Sequence, residues 1–432
     1  MGLLALAPEV CAQQPPQQQL PSAPLPPTAS AQAPAPSAKI TLDDAIRLAQ
    51  QHNHALLALR STILQNQAME TTANLRPNPT LGWDAQFIPL FQPSNFNSDY
   101  LDNAAQFDIG VSYLFERGKK RQHRLRAAKD ATAVVRSQVT DASRQLDFNV
   151  AQQFISVLLA ESTLAFAKQD LDGFQKTVEI SEVRFKAGDM SQGDLLKIKL
   201  QLLQFQSDVS AAMLARVQAL AGLRQFLGYE SVPDDYEVSG DLTYQAVPAT
   251  LADLKAMAAQ SRPDLLAAQQ GVTAARSQEA LAEVVGKQDL TAGISYSHTG
   301  GANSATVSFS IPLAVFDRNQ GEIARTRYAI TQAQEQLSET TQQVSTDVVD
   351  AYENLRTNDQ IIKLYEGGYV DQAKQSRDIT EYSYRRGAAS LLDYLDSERT
   401  YRANQLAYRQ ALASYMTALE QLREATGTRN LP

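Results

Sequence analysis

Long stretches without proline limit the fold most strongly. After Pro93 the next proline is Pro233, and after Pro312 the next is Pro432 at the end of the chain. An interior proline costs a helix about 3 kcal/mol, because it lacks an N–H and its ring collides with the preceding turn. The runs 118–187 and 321–386 are rich in alanine and glutamine instead. Each reads as helix, and unbroken it would span roughly 100 Å at 1.5 Å per residue, far beyond an ordinary globular helix. In the first run Val135, Val139, Ala142, Leu146, Val150, Phe154 and Val157 recur at a mean step of about 3.67 residues. A strict heptad would give 3.5 and a tight left-handed coil, so the stripe suits helices packed nearly straight. An ordinary helical bundle shares that periodicity.

An internal repeat separates these possibilities. Ile180 to Gly188 aligns with Ile379 to Gly387 at an offset of 199 residues. At the same offset Ser191 meets Ser390, Asp194 meets Asp393, Leu196 meets Leu395, and Gly228 meets Gly427. The match runs for 49 residues without a gap. Upstream, Thr41, Leu42 and Asp44 match Thr250, Leu251 and Asp253 at an offset of 209. Two unrelated helices would not keep glycine, serine and aspartate in step, so the chain is a tandem duplication. The units read as 41–228 and 250–428, joined by 229–249.

Each half also carries a pair of alternating segments, at about 81–92 and 104–115, and at about 290–299 and 303–313. Leu81, Trp83, Ala85 and Phe87 alternate with Gly82, Asp84 and Gln86, and the other three segments behave alike. Period two means strand, with one apolar face and one polar or small face. About ten residues is the length of an outer-membrane barrel strand, yet the smallest such barrel has eight strands. Four strands left open in lipid would carry unsatisfied backbone groups at both edges, so several subunits must share one barrel. Two solvent-exposed hairpins on a soluble bundle are the alternative.

Nine of the 18 prolines fall in residues 1–40, where Pro15 to Pro36 stand among Gln, Ala and Ser. Such a segment buries too little apolar surface to offset chain entropy and reads as an extended lead-in. Before it, Val10, Cys11 and Ala12 fit the small-residue rule for signal-peptide cleavage after Ala12. The basic start is missing and the apolar stretch is short, which reads as a truncated signal; Cys11 as a lipid acceptor is the alternative. The net charge of −8, from 39 basic and 47 acidic residues, argues against a general nucleic-acid binder. One cysteine and four scattered histidines exclude a disulfide framework and a multi-cysteine zinc site. No stretch approaches eighteen uncharged apolar residues, the requirement for a spanning helix. Nor does the sequence carry a P-loop, nucleophile elbow or dinucleotide turn, so no enzyme, cofactor or resident metal is expected.

With these residues assembled, the chain resembles the TolC-type outer-membrane channel family of tripartite efflux systems over about 41–428. The most specific match is the turn Tyr384, Arg385, Arg386, Gly387, Ala388, Ala389, Ser390, Leu391, Leu392, Asp393. The junction from Phe115 through Arg117, Gly118, Lys119, Lys120, Arg121 and Arg124 is similar to that of the heavy-metal-efflux branch. The resemblance implies a mainly α fold with a membrane β-barrel: four strands per subunit in a twelve-stranded barrel shared by a homotrimer, continued by a long α-helical barrel. It implies an outer-membrane location, a periplasmic adaptor and an inner-membrane pump as partners, and a passive export duct for divalent metal cations. Drugs or secreted polypeptides are the alternative cargo, and a soluble periplasmic coiled-coil protein is the rival reading.

The residues and the resemblance together mark a gate. Gly188 and Gly387 each end a long helix, where glycine forms a left-handed C-cap at least cost. Ser191 and Ser390 can cap the next helices, with Asp194 and Asp393 three residues on, and plain helix-start chemistry accounts for both aspartates. Asp396 lies a turn further. If three subunits bring Asp393 and Asp396 to one axis, a cation-attracting and self-repelling ring results. The family implies a latch tyrosine at Tyr384 hydrogen-bonded to Asp194. Where relatives have a latch arginine this chain has Ala389, with Arg385 or Arg386 as substitutes. Seven basic residues from Arg117 to Lys129 read as a solvated helix start, or as a contact with outer-membrane lipid headgroups.

Overall fold

The computed structural model describes residues 39–431, apart from 90, 92, 93, 95 and 96. The signal, the lead-in up to residue 38 and Cys11 lie outside the described residues. The first half contains β1 (Lys39–Ile40), α1 (Leu42–His52), α2 (His54–Ala73), β2 (Thr80–Gln86), α3 (Ser98–Asn103), β3 (Gln106–Phe115), α4 (Lys120–Lys186) and α5 (Gln192–Leu227). After β4 (Glu237–Val238), which pairs in parallel with β1, the second half begins. It contains α6 (Leu251–Ser261), α7 (Pro263–Val285), β5 (Leu290–Thr299), β6 (Ala302–Ser310), α8 (Gln320–Leu364), a π-helical turn (Tyr365–Tyr369), α9 (Val370–Arg385) and α10 (Leu391–Thr426).

The duplication extends to helix ends. α5 and α10 are both 36 residues long, start after Ser191 and Ser390, and stop at Gly228 and Gly427. α1 and α6 are both 11 residues long, and Thr41 and Thr250 accept the N–H of Asp44 and Asp253. The long helices differ. α4 is unbroken over 67 residues, about 100 Å, whereas its counterpart is interrupted at Gly368, where φ is +107°. Gly367 and Gly368 stand where the first half has Lys168 and Gln169. A side chain rarely adopts that backbone conformation, so only the second half can break there.

The four longer strands form one antiparallel sheet in the order β2-β3-β5-β6, so the two halves meet at the β3–β5 pairing. Trp83, Ile109 and Tyr296 lie in one cross-strand row and Leu81, Val111, Ile294 and Val307 in the next. The opposite face carries the rows Gly82, Gly110, Ser295, Thr306 and Asp84, Asp108, Ser297, Ser304. Alternation therefore holds across the whole sheet, and both faces are largely open in one subunit. β2 stops at Gln86, short of the 81–92 read from sequence, because Phe87 turns into the left-handed region at φ +60° and Pro89 follows. Similarly β6 ends at Ser310, before Pro312.

The core is duplicated too. Val150, Phe154, Val157, Leu223 and Leu227 pack with α1, and Val344, Val348, Tyr415, Leu422 and Leu254 form the matching cluster in the second half. Within α4 one 18-residue window is apolar enough by length and composition to cross a membrane, although its apolar residues do not form one continuous run. More than half of that window, 56%, is buried in the molecule. It belongs to a core helix, whose inward positions concentrate the apolar residues.

Candidate functional site

The helix pairs α4–α5 and α9–α10 end in matching turns. At the first, Gly188 has φ +83°, its N–H bonds the Phe185 carbonyl at 3.0 Å, and the Asp189 N–H reaches the Arg184 carbonyl at 2.9 Å. At the second, Gly387 has φ +76°, its N–H bonds the Tyr384 carbonyl at 3.0 Å, and the Ala388 N–H reaches Ser383 at 2.8 Å. Both are Schellman closures, which satisfy the last helical carbonyls. Ser191 then accepts the Asp194 N–H at 3.1 Å, and Ser390 accepts the Asp393 N–H at 3.2 Å. Asp393 also accepts the Ser390 N–H at 3.2 Å, completing a reciprocal cap with aspartate in place of glutamate. The Ser191 hydroxyl, helped by Lys197, holds the Asp194 carboxyl below the usual carboxylate range.

Behind the turns, all four helices contribute to one aromatic cluster of Phe174, Val178, Ile198, Phe205, Tyr384, Leu391 and Tyr394. Phe174 stacks on Phe205 at 4.4 Å, and Tyr384 on Tyr394 at 5.3 Å with rings 5° from parallel. The Tyr394 hydroxyl is 3.4 Å from Thr177 Oγ1, and burial pushes its pKa far up. The expected Tyr384–Asp194 hydrogen bond is not formed. The Tyr384 hydroxyl is buried beside Ser181 and makes no well-aligned hydrogen bond among the described residues, while Asp194 is occupied by Ser191 and Lys197 on an exposed surface. Tyr384 is held through its ring and backbone instead. Arg184 of α4 donates to the Tyr384 carbonyl at 3.2 Å and lies 5.5 Å over its ring.

The proposed substitutes for a latch arginine do not bridge the two helix pairs. Arg385 pairs with Glu381 at 2.5 Å and Arg386 lies 5.1 Å over the Tyr382 ring, both contacts local to the end of α9. Ala389 packs against the aromatic cluster. Arg184 makes the cross-link, and sequence reasoning passed over it because its repeat position holds Ser383. Asp396 is exposed and pairs with Arg399 at 2.8 Å, while Asp393 closes its helix start. Both sit on the exposed side of α10, opposite Tyr394 and Leu391.

At the other end, the basic junction divides in two. Lys119 and Asn319 occupy corresponding left-handed positions, at φ +61° and +64°, just before α4 and α8. Lys120 is buried, donating to the Lys287 carbonyl at 2.6 Å and to Asp289 at 2.8 Å. Asp289 also accepts the Arg117 N–H at 2.9 Å, and Arg124 pairs with Glu116. Lys120 and Arg124 are thus internal ties between sheet and helix, whereas Arg117 and Lys119 are exposed and Arg121 half-buried.

The Tyr384 hydroxyl gives the tip a test. Tyr384→Phe should leave thermal stability nearly unchanged, since it removes a hydroxyl that makes no well-aligned hydrogen bond. Tyr384→Ala should cost about 3–5 kcal/mol in local stability, as for other large buried rings. Amide exchange over 177–184 reads both variants. A Phe variant as damaging as the Ala variant would show that the hydroxyl is bonded in the assembled protein.

The family model described as outer membrane efflux protein matches residues 45–229 and again 254–428, once on each half. The cobalt-zinc-cadmium resistance protein CzcC of Cupriavidus metallidurans is 23% identical over 379 residues, covering 85% of each chain. The outer membrane protein TolC of Vibrio cholerae is 24% identical over 311 residues, covering 68% of this chain and 70% of its own. Crystal structures of CusC, concerned with folding and transmembrane channel formation, superpose with a TM-score of 0.74 at 18% identity, covering 96% of this chain and 99% of that one. A duplicated pair of long helices joined to an alternating sheet, matched twice by one family model, places this chain in the outer membrane efflux protein family.

Proposed function

We propose that the protein is a trimeric duct across the outer membrane and periplasm, opened at its helical tip and passive in itself. The observation that carries this reading is the four-stranded sheet whose two edges, β2 and β6, have no partner strand among the described residues. Trp83, Ile294, Val307 and Phe309 stand more than half exposed on one face, an apolar area too large for a solvated surface. Ten-residue strands tilted by about 45° give an apolar band of roughly 25 Å, the height of an outer-membrane barrel. Three copies would join β6 of one subunit to β2 of the next in a twelve-stranded barrel with the row of Asp84 and Asp108 inward. The helices support the same assembly. α5 leaves Leu196, Leu200, Leu203, Leu214 and Val217 uncovered along its length, a stripe that a neighbouring subunit would bury.

Arg117, Lys119 and Arg121 lie beside the apolar band and suit lipid headgroup phosphates. The exposed tip is the surface for a periplasmic adaptor, which connects the duct to an inner-membrane pump. Asp393 and Asp396 form the gate: six carboxylates near a threefold axis attract cations and repel each other. Divalent metal cations are the cargo that the relative CzcC, a cobalt-zinc-cadmium resistance protein, points to.

In planar bilayers the wild-type protein should conduct and be blocked by divalent cations added at the tip side. Asp393→Ala with Asp396→Ala should weaken that block; an unchanged block would reduce both aspartates to helix-start residues. Cells lacking the protein should lose tolerance to cobalt, zinc or cadmium. Unaltered metal tolerance beside new sensitivity to an organic toxicant would reassign the cargo.

A further inference from the structure

One layer beyond the aromatic cluster, the seam between α4 and α10 turns polar. Asp170 stands one turn before Phe174, and Glu398 one turn after Tyr394; they are only 8% and 6% exposed. Their carboxyl groups lie near enough for each to act on the other's ionisation. Arg402 places Nε 2.6 Å from Asp170 Oδ2 and Nη2 2.5 Å from Asp208 of α5, with its guanidinium 4.1 Å over Phe205. From α9, Arg377 lies 4.3 Å over the Tyr401 ring and pairs with Asp378, and Glu381 faces Tyr394. On α10 itself, Tyr394 and Tyr401 border the pair, while Arg409 stacks 4.5 Å over Phe166 and bonds Ser162 and Gln405.

The charges do not balance around two ionised carboxylates. Arg402 is shared with Asp208 and Arg377 with Asp378, and although both guanidinium charges also act on Glu398, burial and the charge of Asp170 outweigh them. Burial, and next the charge of Asp170, push the Glu398 carboxyl up to about 7. Burial raises Asp170 as well, against the pull of Arg402. The repeat does not reproduce the arrangement. Lys199, Leu203 and Tyr369 occupy the positions of Glu398, Arg402 and Asp170 in the other half, so the duplicated fold did not require it.

We propose that Asp170 and Glu398 share one proton that clamps the α4–α10 seam, and that loss of this proton loosens the tip. This rests on the reading of the tip as the gate. With the proton present, Glu398 donates an O–H to the Asp170 carboxylate, which stays paired by charge with Arg402. Without it, two carboxylates meet in a poorly hydrated seam, and separation with entry of water relieves the repulsion. In the loosened seam Glu398 returns toward its ordinary 4.5, against about 7 in the closed seam. The closed form therefore binds more protons between those values. Rising pH favours loosening across that window, by up to about tenfold per pH unit in each subunit, and has no further effect above it.

The test uses the full protein in detergent and in bilayers between pH 4.5 and 8. Amide protection over 170–181, corrected for intrinsic exchange, should fall in wild type as pH rises to about 7 and then level. Glu398→Gln, which mimics the protonated form, should stay protected throughout, and wild-type conductance should rise over the same window. Asp170→Asn should move the titration of the Glu398 carboxyl band in difference infrared spectra to lower pH, a readout that needs no gating. Protection that titrates while conductance stays flat would keep the proton clamp and remove the tip as gate. Protection independent of pH, or a Glu398→Gln protein titrating like wild type, would overturn the proposal.

Discussion

Backbone hydrogen bonding at the two edges of the sheet is the constraint on which the rest of the molecule depends. β3 and β5 satisfy each other and their outer neighbours, but β2 and β6 each present one row of N–H and C=O groups with no partner strand among the described residues. In water such an edge is an aggregation hazard, and in lipid it is untenable. On the proposed reading the apolar row of Leu81, Val111, Ile294 and Val307 faces lipid, and other copies close the edges. Once they are closed, the helices leaving β3 and β6 start on a ring. The buried Lys120–Asp289 pair and the left-handed residues Lys119 and Asn319 set the angle at which they leave it.

At the far end the two halves use the same turn for different purposes. Glycine closures at 188 and 387 and serine caps at 191 and 390 are equivalent to within a few tenths of an ångström in their hydrogen bonds. The side chains around them are not equivalent. Tyr394 stands where the first half has Leu195, and it carries the stacking with Tyr384 and the contact to Thr177. The break at Gly367–Gly368 likewise belongs to the second half alone. A duplicated scaffold has thus become a continuous pair, α4–α5, and an interrupted pair, α9–α10.

Much of this was legible in the residues. Glycine, serine and aspartate kept at a fixed spacing revealed the duplication, because each has a backbone role that few other residues perform. Strand alternation was equally plain, since a one-residue slip would invert every face. Side-chain partnership was less accessible. Tyr384 and Asp194 have compatible chemistry, yet Ser191 and Lys197 hold Asp194 outside the cluster. Lys120 looked like one member of a basic run, but its carbonyl and carboxylate partners are about 170 residues away in sequence. The carboxyl pair of Asp170 and Glu398 joins two helices whose register no local pattern records. Such contacts depend on how helices pack in three dimensions, which periodicity leaves undetermined.

The central claim is that the sheet is completed by neighbouring subunits, and amide hydrogen exchange on the detergent-purified particle tests it strand by strand. The account predicts that the outward amides of β2 and β6 exchange as slowly as those of β3 and β5, because all four strands are paired on both sides. Fast exchange confined to β2 and β6, with β3 and β5 protected, would show an open four-stranded sheet and contradict the shared barrel.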